Sequence, residues 1–143
     1  MFYILSMEYT LIGKNDLKIS KFALGTWPFA GGELWGNQED SDSIAAVNEC
    51  FENGINFFDT AEMYPIPGRK YTQGNTERII GNWLEESGNR KEVYIATKVT
   101  GHGVNWIRKG TKFSKDQINR AVDNSLKRLK VDSIDLYQLH WPE

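Results

Sequence analysis

A chain of 143 residues, 40% hydrophobic and 25% charged, has the composition of one ordinary globular domain. Its 17 basic and 19 acidic residues nearly cancel, so no broad positive field exists to hold a nucleic acid or an anionic membrane surface. Cys50 stands alone, which excludes an intrachain disulfide, leaves no cysteine cluster for a metal, and fits a reducing, cytoplasmic compartment.

The opening Met1 to Met7 is apolar, but it has no positively charged start and no small-residue cleavage site. Residues 1–6 therefore read as a short extension or an upstream start, and the domain as residues 7–143. No window approaches the roughly 20 apolar residues that cross a bilayer. Tyr9 to Ile12 and Leu17 to Ser20 flank the turn residues Gly13-Lys14-Asn15-Asp16, a pattern that predicts a small hairpin. Phe22-Ala23-Leu24-Gly25 predicts strand one, followed by a long loop rich in glycine and aromatic residues. From Asp40 to Asn53, Ile44, Val47 and Phe51 recur at helical spacing, with Asp40 or Ser41 as the cap and Gly54 after the end.

The cycle repeats with strand two at Ile55 to Asp59 and a helix whose face is Ile79, Ile80, Trp83 and Leu84, stopping at Gly88. Strand three is Val93 to Thr97. Ser114 and Gln117 predict a capping box for a helix facing inward through Ile118, Ala121, Val122, Leu126 and Leu129. Lys127, Arg128 and Lys130 crowd its last turn, favourably for the helix dipole, before strand four at Ile134 to Leu139. Short apolar strands alternating with helices predict parallel strands with crossover helices, in a barrel or an open sheet. The G-x-G-x-x-G turn and the P-loop are both absent, so neither common phosphate loop is available.

Polar residues able to react stand where three strands finish: Asp59, Lys98 and His140, with Tyr64 five residues beyond Asp59. In a parallel sheet all C-terminal strand ends lie on one side, so these residues converge without a local motif. Taken singly, each has a plainer role: Lys98 a solvated cation, Asp59 a turn cap, His140 a structural histidine, Tyr64 a loop-packing ring. Together they suit one chemistry. A carbonyl that accepts hydride develops negative charge on oxygen, which needs a proton or strong hydrogen bonds. Tyr64 can give that proton, and a nearby ammonium such as Lys98 eases its release. Asp59 would pair with Lys98, and His140 would orient the carbonyl oxygen. Trp27, Trp35, Trp106 and Trp141 fall in loops at the strand ends and suit either an apolar substrate pocket or loop packing, whereas Trp83 belongs to the core.

The segment Asn56-Phe57-Phe58-Asp59-Thr60-Ala61-Glu62-Met63-Tyr64 resembles the signature of the aldo-keto reductase superfamily. The likeness extends through Gly25-Thr26-Trp27, Thr76-Glu77 with Ile80-Gly81, Ala96-Thr97-Lys98-Val99, and Asp135 to Pro142. Pro65 to Arg69 with Thr72-Gln73-Gly74 is similar to a bacterial subgroup that also resembles potassium-channel β subunits. The resemblance implies a (β/α)8 barrel of TIM type and the reduction of aldehydes and ketones by NADPH, with NADH as the alternative. It assigns Asp59, Tyr64, Lys98 and His140 to the catalytic tetrad, and Gly25, Thr26, Trp27 and Asp59 to the cofactor. A full barrel has eight strand and helix units, of which this chain supplies the opening hairpin and the first four. That leaves strands one and four as unpaired edges. Three readings stay open: a fragment of a longer reductase, two copies that complete a barrel together, or a shortened product without activity. A fourth is a cofactor-binding regulatory module similar to the channel subunits.

Overall fold

The computed structural model describes residues 6–14 and 17–142. Asn15 and Asp16 of the predicted turn, and residues 1–5 of the opening extension, lie outside the described residues. Strands β1 (Tyr9–Ile12) and β2 (Leu17–Ser20) form the expected antiparallel hairpin. The main body is a parallel sheet in the order β3 (Leu24–Gly25), β4 (Phe57–Asp59), β5 (Tyr94–Val99) and β6 (Leu136–Leu139). Helices α1 (Asp40–Glu52), α2 (Asn75–Ser87) and α3 (Lys115–Leu129) make the crossovers between successive strands. Strand order follows chain order, so each βα unit lies beside the last, as in a barrel wall rather than a doubly wound sheet. Within the described residues, β3 and β6 are the sheet's edges.

Most strands differ from expectation at their ends, because side chains there replace ladder bonds. β4 begins at Phe57 rather than Ile55, since Asn56 is occupied with the hairpin. Its Oδ1 accepts from the Ser20 backbone N–H at 2.7 Å and its Nδ2 donates to the Lys18 carbonyl at 3.0 Å. β6 begins at Leu136 rather than Ile134. The Asp135 carboxylate accepts from the Ile95 N–H at 2.8 Å and pairs with Arg90 at 2.8 Å, bracketing the strand start. β3 is only Leu24–Gly25, with Phe22 exposed where the Ser20 hydroxyl donates to its carbonyl at 2.6 Å. β5 runs on to Val99, so Lys98 lies within the strand, opposite Gln138, instead of after it.

Two caps also depart from expectation. The residue preceding α1 is Glu39, and its backbone N–H is satisfied by the Asp42 carboxylate at 3.3 Å, so neither Asp40 nor Ser41 is the cap. At α3, the Ser114 hydroxyl accepts from the Gln117 N–H at 3.4 Å, but the Gln117 side chain accepts from Arg108 Nε at 2.9 Å instead of completing a capping box.

The core lies between the sheet and its helices. Phe58, Ile95, Ile79, Ile80, Leu84, Val47 and Leu129 are buried there around Trp83, whose ring meets Phe51 and Phe58 edge-on at 5.4 Å each. The Trp83 indole N–H donates to Asn48 Oδ1 at 2.6 Å, so the ring is buried with its polar atom satisfied. α2 and α3 approach so closely that a Cβ at Gly81 would overlap the Arg128 carbonyl and Leu129. At the other end of the sheet, Gly54 takes φ 87° after α1, and its carbonyl accepts from the Tyr9 hydroxyl at 2.9 Å, docking the hairpin beneath the helix.

Strand alternation then fixes the chemistry. Phe58, Ile95 and Thr97 face the helices, so Asp59, Lys98 and Gln138 face the other way, at the C-terminal ends of their strands. Among the described residues, no helix is long and apolar enough to cross a membrane.

Candidate active site

Asp59 is the last residue of β4, Lys98 lies near the end of β5, and His140 follows β6 directly. Tyr64 is delivered by the turn after β4, its backbone N–H bonded to the Ala61 carbonyl at 3.2 Å. The structure brings all four together. Lys98 Nζ donates to Asp59 Oδ2 at 2.7 Å and to the Thr60 carbonyl at 2.7 Å, and lies 3.4 Å from the Tyr64 hydroxyl. The ammonium also sits 4.9 Å from the centre of the Tyr64 ring. With two short bonds to oxygen and a third, longer contact to the phenol, its three donors are accounted for.

The His140 ring stands edge-on to Tyr64 at 5.5 Å, its backbone N–H held by the Val99 carbonyl at 3.1 Å. Its Nδ1 is buried and, among the described residues, has no hydrogen-bond partner. Burial, followed by the Lys98 charge, lowers its pKa below the ordinary 6.5, against opposing pulls from Asp59 and Glu62. The imidazole is therefore neutral at pH 7. The unfolded chain takes up this proton first as pH falls below about 6.5, so the stability contributed by neutral His140 is present above that pH and lost below it. His140→Gln, which cannot titrate, is expected to lose less stability than the parent between neutral pH and about pH 5, measured as urea midpoints. Equal losses would contradict the assignment.

Sequence reasoning missed one member of this set. Gln138 Nε2 donates to Asp59 Oδ1 at 3.2 Å, so both oxygens of that carboxylate are engaged and its plane is fixed. The signal was available, since Gln138 lies two residues before His140 and so shares its face of the strand.

Of the four loop tryptophans, Trp27 stacks on Tyr64 at 6.4 Å and meets Trp35 edge-on at 5.9 Å. Trp141 lies against His140 at 5.0 Å and covers Gly101, donating its indole N–H to the His102 carbonyl at 3.3 Å. These rings form a continuous aromatic rim with Tyr64 and His140. Trp106 is partly exposed and, among the described residues, in ring contact with none of them.

Of the four residues expected beside a cofactor, Asp59 is held by Lys98 and Gln138, and the other three are placed unequally. Gly25 is exposed, with no heavy atom within 4 Å of where a Cβ would stand, leaving open backbone at the mouth of β3. Trp27 presents a half-exposed ring next to it. Thr26 is fully buried, and both its N–H and its hydroxyl donate to the Asp59 carbonyl, at 3.0 and 3.1 Å. It ties β3 to β4.

The family model described as the Aldo/keto reductase family matches residues 21–143. The chain is 41% identical over 140 residues to Protein tas of Escherichia coli, covering 96% of this chain and 39% of that protein. It is 33% identical over 139 residues to a probable voltage-gated potassium channel subunit beta of Arabidopsis thaliana, covering 96% of this chain and 38% of the subunit. Among solved structures it is similar to aldo-keto reductase AKR11C1 from Bacillus halodurans, with a TM-score of 0.73 and 32% identity over 93% of this chain and 40% of that one. The chain thus spans about two fifths of the length of the curated relatives it matches, and its parallel sheet with crossover helices corresponds to part of an aldo-keto reductase barrel.

Proposed function

Because this chain belongs to the aldo-keto reductase family, we propose that its site reduces an aldehyde or ketone with a nicotinamide cofactor, NADPH first and NADH as the alternative. The observation that carries this reading is the Asp59–Lys98–Tyr64 chain of contacts, assembled from two strands and a turn. The residues present fit the reacting end of such a cofactor. Open backbone at Gly25 and the half-exposed ring of Trp27, which stacks on Tyr64, support a seat for a flat ring at this end of the sheet, and the Asp59 carbonyl holds the loop end through Thr26. When bound, the reduced nicotinamide supplies a hydride.

In this reading each residue of the chain has one task. Tyr64 Oη donates a proton to the carbonyl oxygen as charge develops there, a step that positioned acids accelerate by about 10² to 10⁴. Lys98 holds its ammonium 3.4 Å from the phenol oxygen, positive charge set against the negative charge that develops as the hydride arrives. Asp59 fixes the ammonium in place, and is itself held by Gln138. His140, neutral through burial, hydrogen-bonds the carbonyl oxygen and orients it. The aromatic rim of Trp27, Trp35 and Trp141 excludes water and accepts an apolar substituent. A lone, partly buried Cys50 accords with a cytoplasmic setting.

The test is NADPH oxidation, followed by absorbance, with a nitrobenzaldehyde across a range of protein concentrations. Turnover supports the reading. A rate per chain that rises with concentration adds self-association through the edges of β3 and β6. Tight NADPH binding without turnover would favour the second reading, a regulatory module, for which the likeness to the channel subunit speaks.

A further inference from the structure

Glu62 stands between Asp59 and Tyr64 in sequence and is fully buried, yet none of the tasks above uses it. Its carboxylate spans a gap between loops. Oε2 accepts from the Thr100 backbone N–H at 3.0 Å, and Oε1 pairs with Arg108 Nη1, itself buried. Its backbone is equally engaged: the N–H donates to the Lys98 carbonyl at 3.2 Å, and the carbonyl accepts from Gln73 Nε2 at 3.0 Å. One residue is thus bonded to the strand that carries Lys98, to the segment returning from Tyr64, and to the loop beyond β5.

The partner reaches this position at a cost. Arg108 has φ 50° and Lys109 φ 63°, consecutive left-handed residues that are not glycine, a conformation that persists only where its surroundings enforce it. What enforces it is visible. Arg108 Nε donates to Gln117 Oε1 at 2.9 Å on the first turn of α3, and its Nη2 donates to the Thr100 carbonyl at 3.4 Å. Thr111 closes the same loop through its hydroxyl, which donates to the Gly101 carbonyl. Burying a carboxylate and a guanidinium is weak support for stability, because desolvation offsets much of their attraction. The location of the pair, with Glu62 two residues before Tyr64 and Arg108 in the loop beyond β5, points to geometry as the gain.

We infer that Glu62 is a positioning residue, which through Arg108 locks the Tyr64 turn, the end of β5 at Lys98 and the loop from Gly101 to Gly110 into one rigid unit. Its effect on turnover rests on the reductase reading, whereas its effect on rigidity does not.

Glu62→Gln keeps the size and the acceptor for Thr100 but removes the ion pair, and Arg108→Met removes it from the other side. In NADPH oxidation by a nitrobenzaldehyde, both are expected to lower kcat by about 10²-fold, the penalty of a small misplacement, with KM for NADPH unchanged. Arg108→Lys should recover part of that loss, and the double variant should be no worse than either single one. A kcat within about twofold of the parent's in Glu62→Gln would overturn the proposal, as would fully additive losses. Amide hydrogen exchange reads the same claim without turnover. The amides of Tyr64, Gly74, Thr100 and Gly110 should lose protection together in both variants, while the β1–β2 hairpin keeps its own. Should the parent show no turnover, the reductase reading fails, and exchange alone decides. Concerted loss then upholds the positioning role, and loss confined to one loop or to none overturns it.

Discussion

Tyr64→Phe is expected to lower carbonyl turnover by about 10³-fold while leaving NADPH affinity within about twofold of the parent's. The substitution removes one oxygen and nothing else. The ring is buried, stacked on Trp27 and edge-on to His140, and a phenylalanine keeps both contacts. Lys98 keeps its two short bonds, to Asp59 and to the Thr60 carbonyl, and gives up only the 3.4 Å contact to the phenol. The fold around the site is therefore retained, and what disappears, in the proposed reaction, is the proton that meets the developing oxyanion. Steady-state kinetics beside an NADPH titration, read by quenching of tryptophan fluorescence, separates the two quantities. Parallel losses in turnover and in affinity would mean that Tyr64 holds the cofactor rather than the proton.

Arg128→Met is expected to cost about 3–5 kcal/mol of stability, the penalty for leaving a buried carboxylate without its counter-ion. Glu77 is fully buried in the first turn of α2, and its Oε2 pairs with Arg128 Nε of α3 at 2.6 Å. Among the described residues, the Thr97 hydroxyl, donating to Oε1 at 2.7 Å, would be the one side chain left to satisfy it. The loss would be felt by the whole sheet, because these three residues join α2, α3 and β5. Replacing both charges, as Glu77→Gln with Arg128→Met, should restore a large part of the stability, since the orphaned charge is what destabilises. Urea midpoints of the parent, the single variant and the double variant measure this directly. A single variant within about 1 kcal/mol of the parent would show that water reaches Glu77.

How far the fold is legible in the sequence depends on the range of the signal. Elements with a regular period were legible: the stripe of Ile79, Ile80, Trp83 and Leu84 is the buried face of α2. Strand ends were not, because a polar side chain there can replace a ladder bond. Asn56 and Asp135 look like strand members in sequence, and their role in tying β4 to the hairpin and β6 to Arg90 appears only in three dimensions. The gathering of Asp59, Tyr64, Lys98 and His140 was legible from topology, since parallel strands share one C-terminal side. Gln138 and Glu62 were missed for opposite reasons. The first lay in plain alternation with His140, while the second depends on Arg108, distant in sequence and held in a backbone conformation that no sequence pattern announces.

The cap of α3 shows the same competition on a smaller scale. Ser114 behaves as a capping residue should, yet Gln117 is drawn away by Arg108, because a charged donor outbids the backbone N–H at the helix start. Local propensity set the helix, and a long-range contact decided how its end is used.

The proposed role of the site is a transfer of hydride to a carbonyl carbon, and the label follows the hydride. NADPH deuterated on the transferring face of C4 of the nicotinamide, supplied with a nitrobenzaldehyde, should yield a benzyl alcohol carrying one deuterium on its carbinol carbon, with the Tyr64→Phe variant yielding almost none in the same time. Alcohol formed without the label, or formed equally by the variant, would contradict the account.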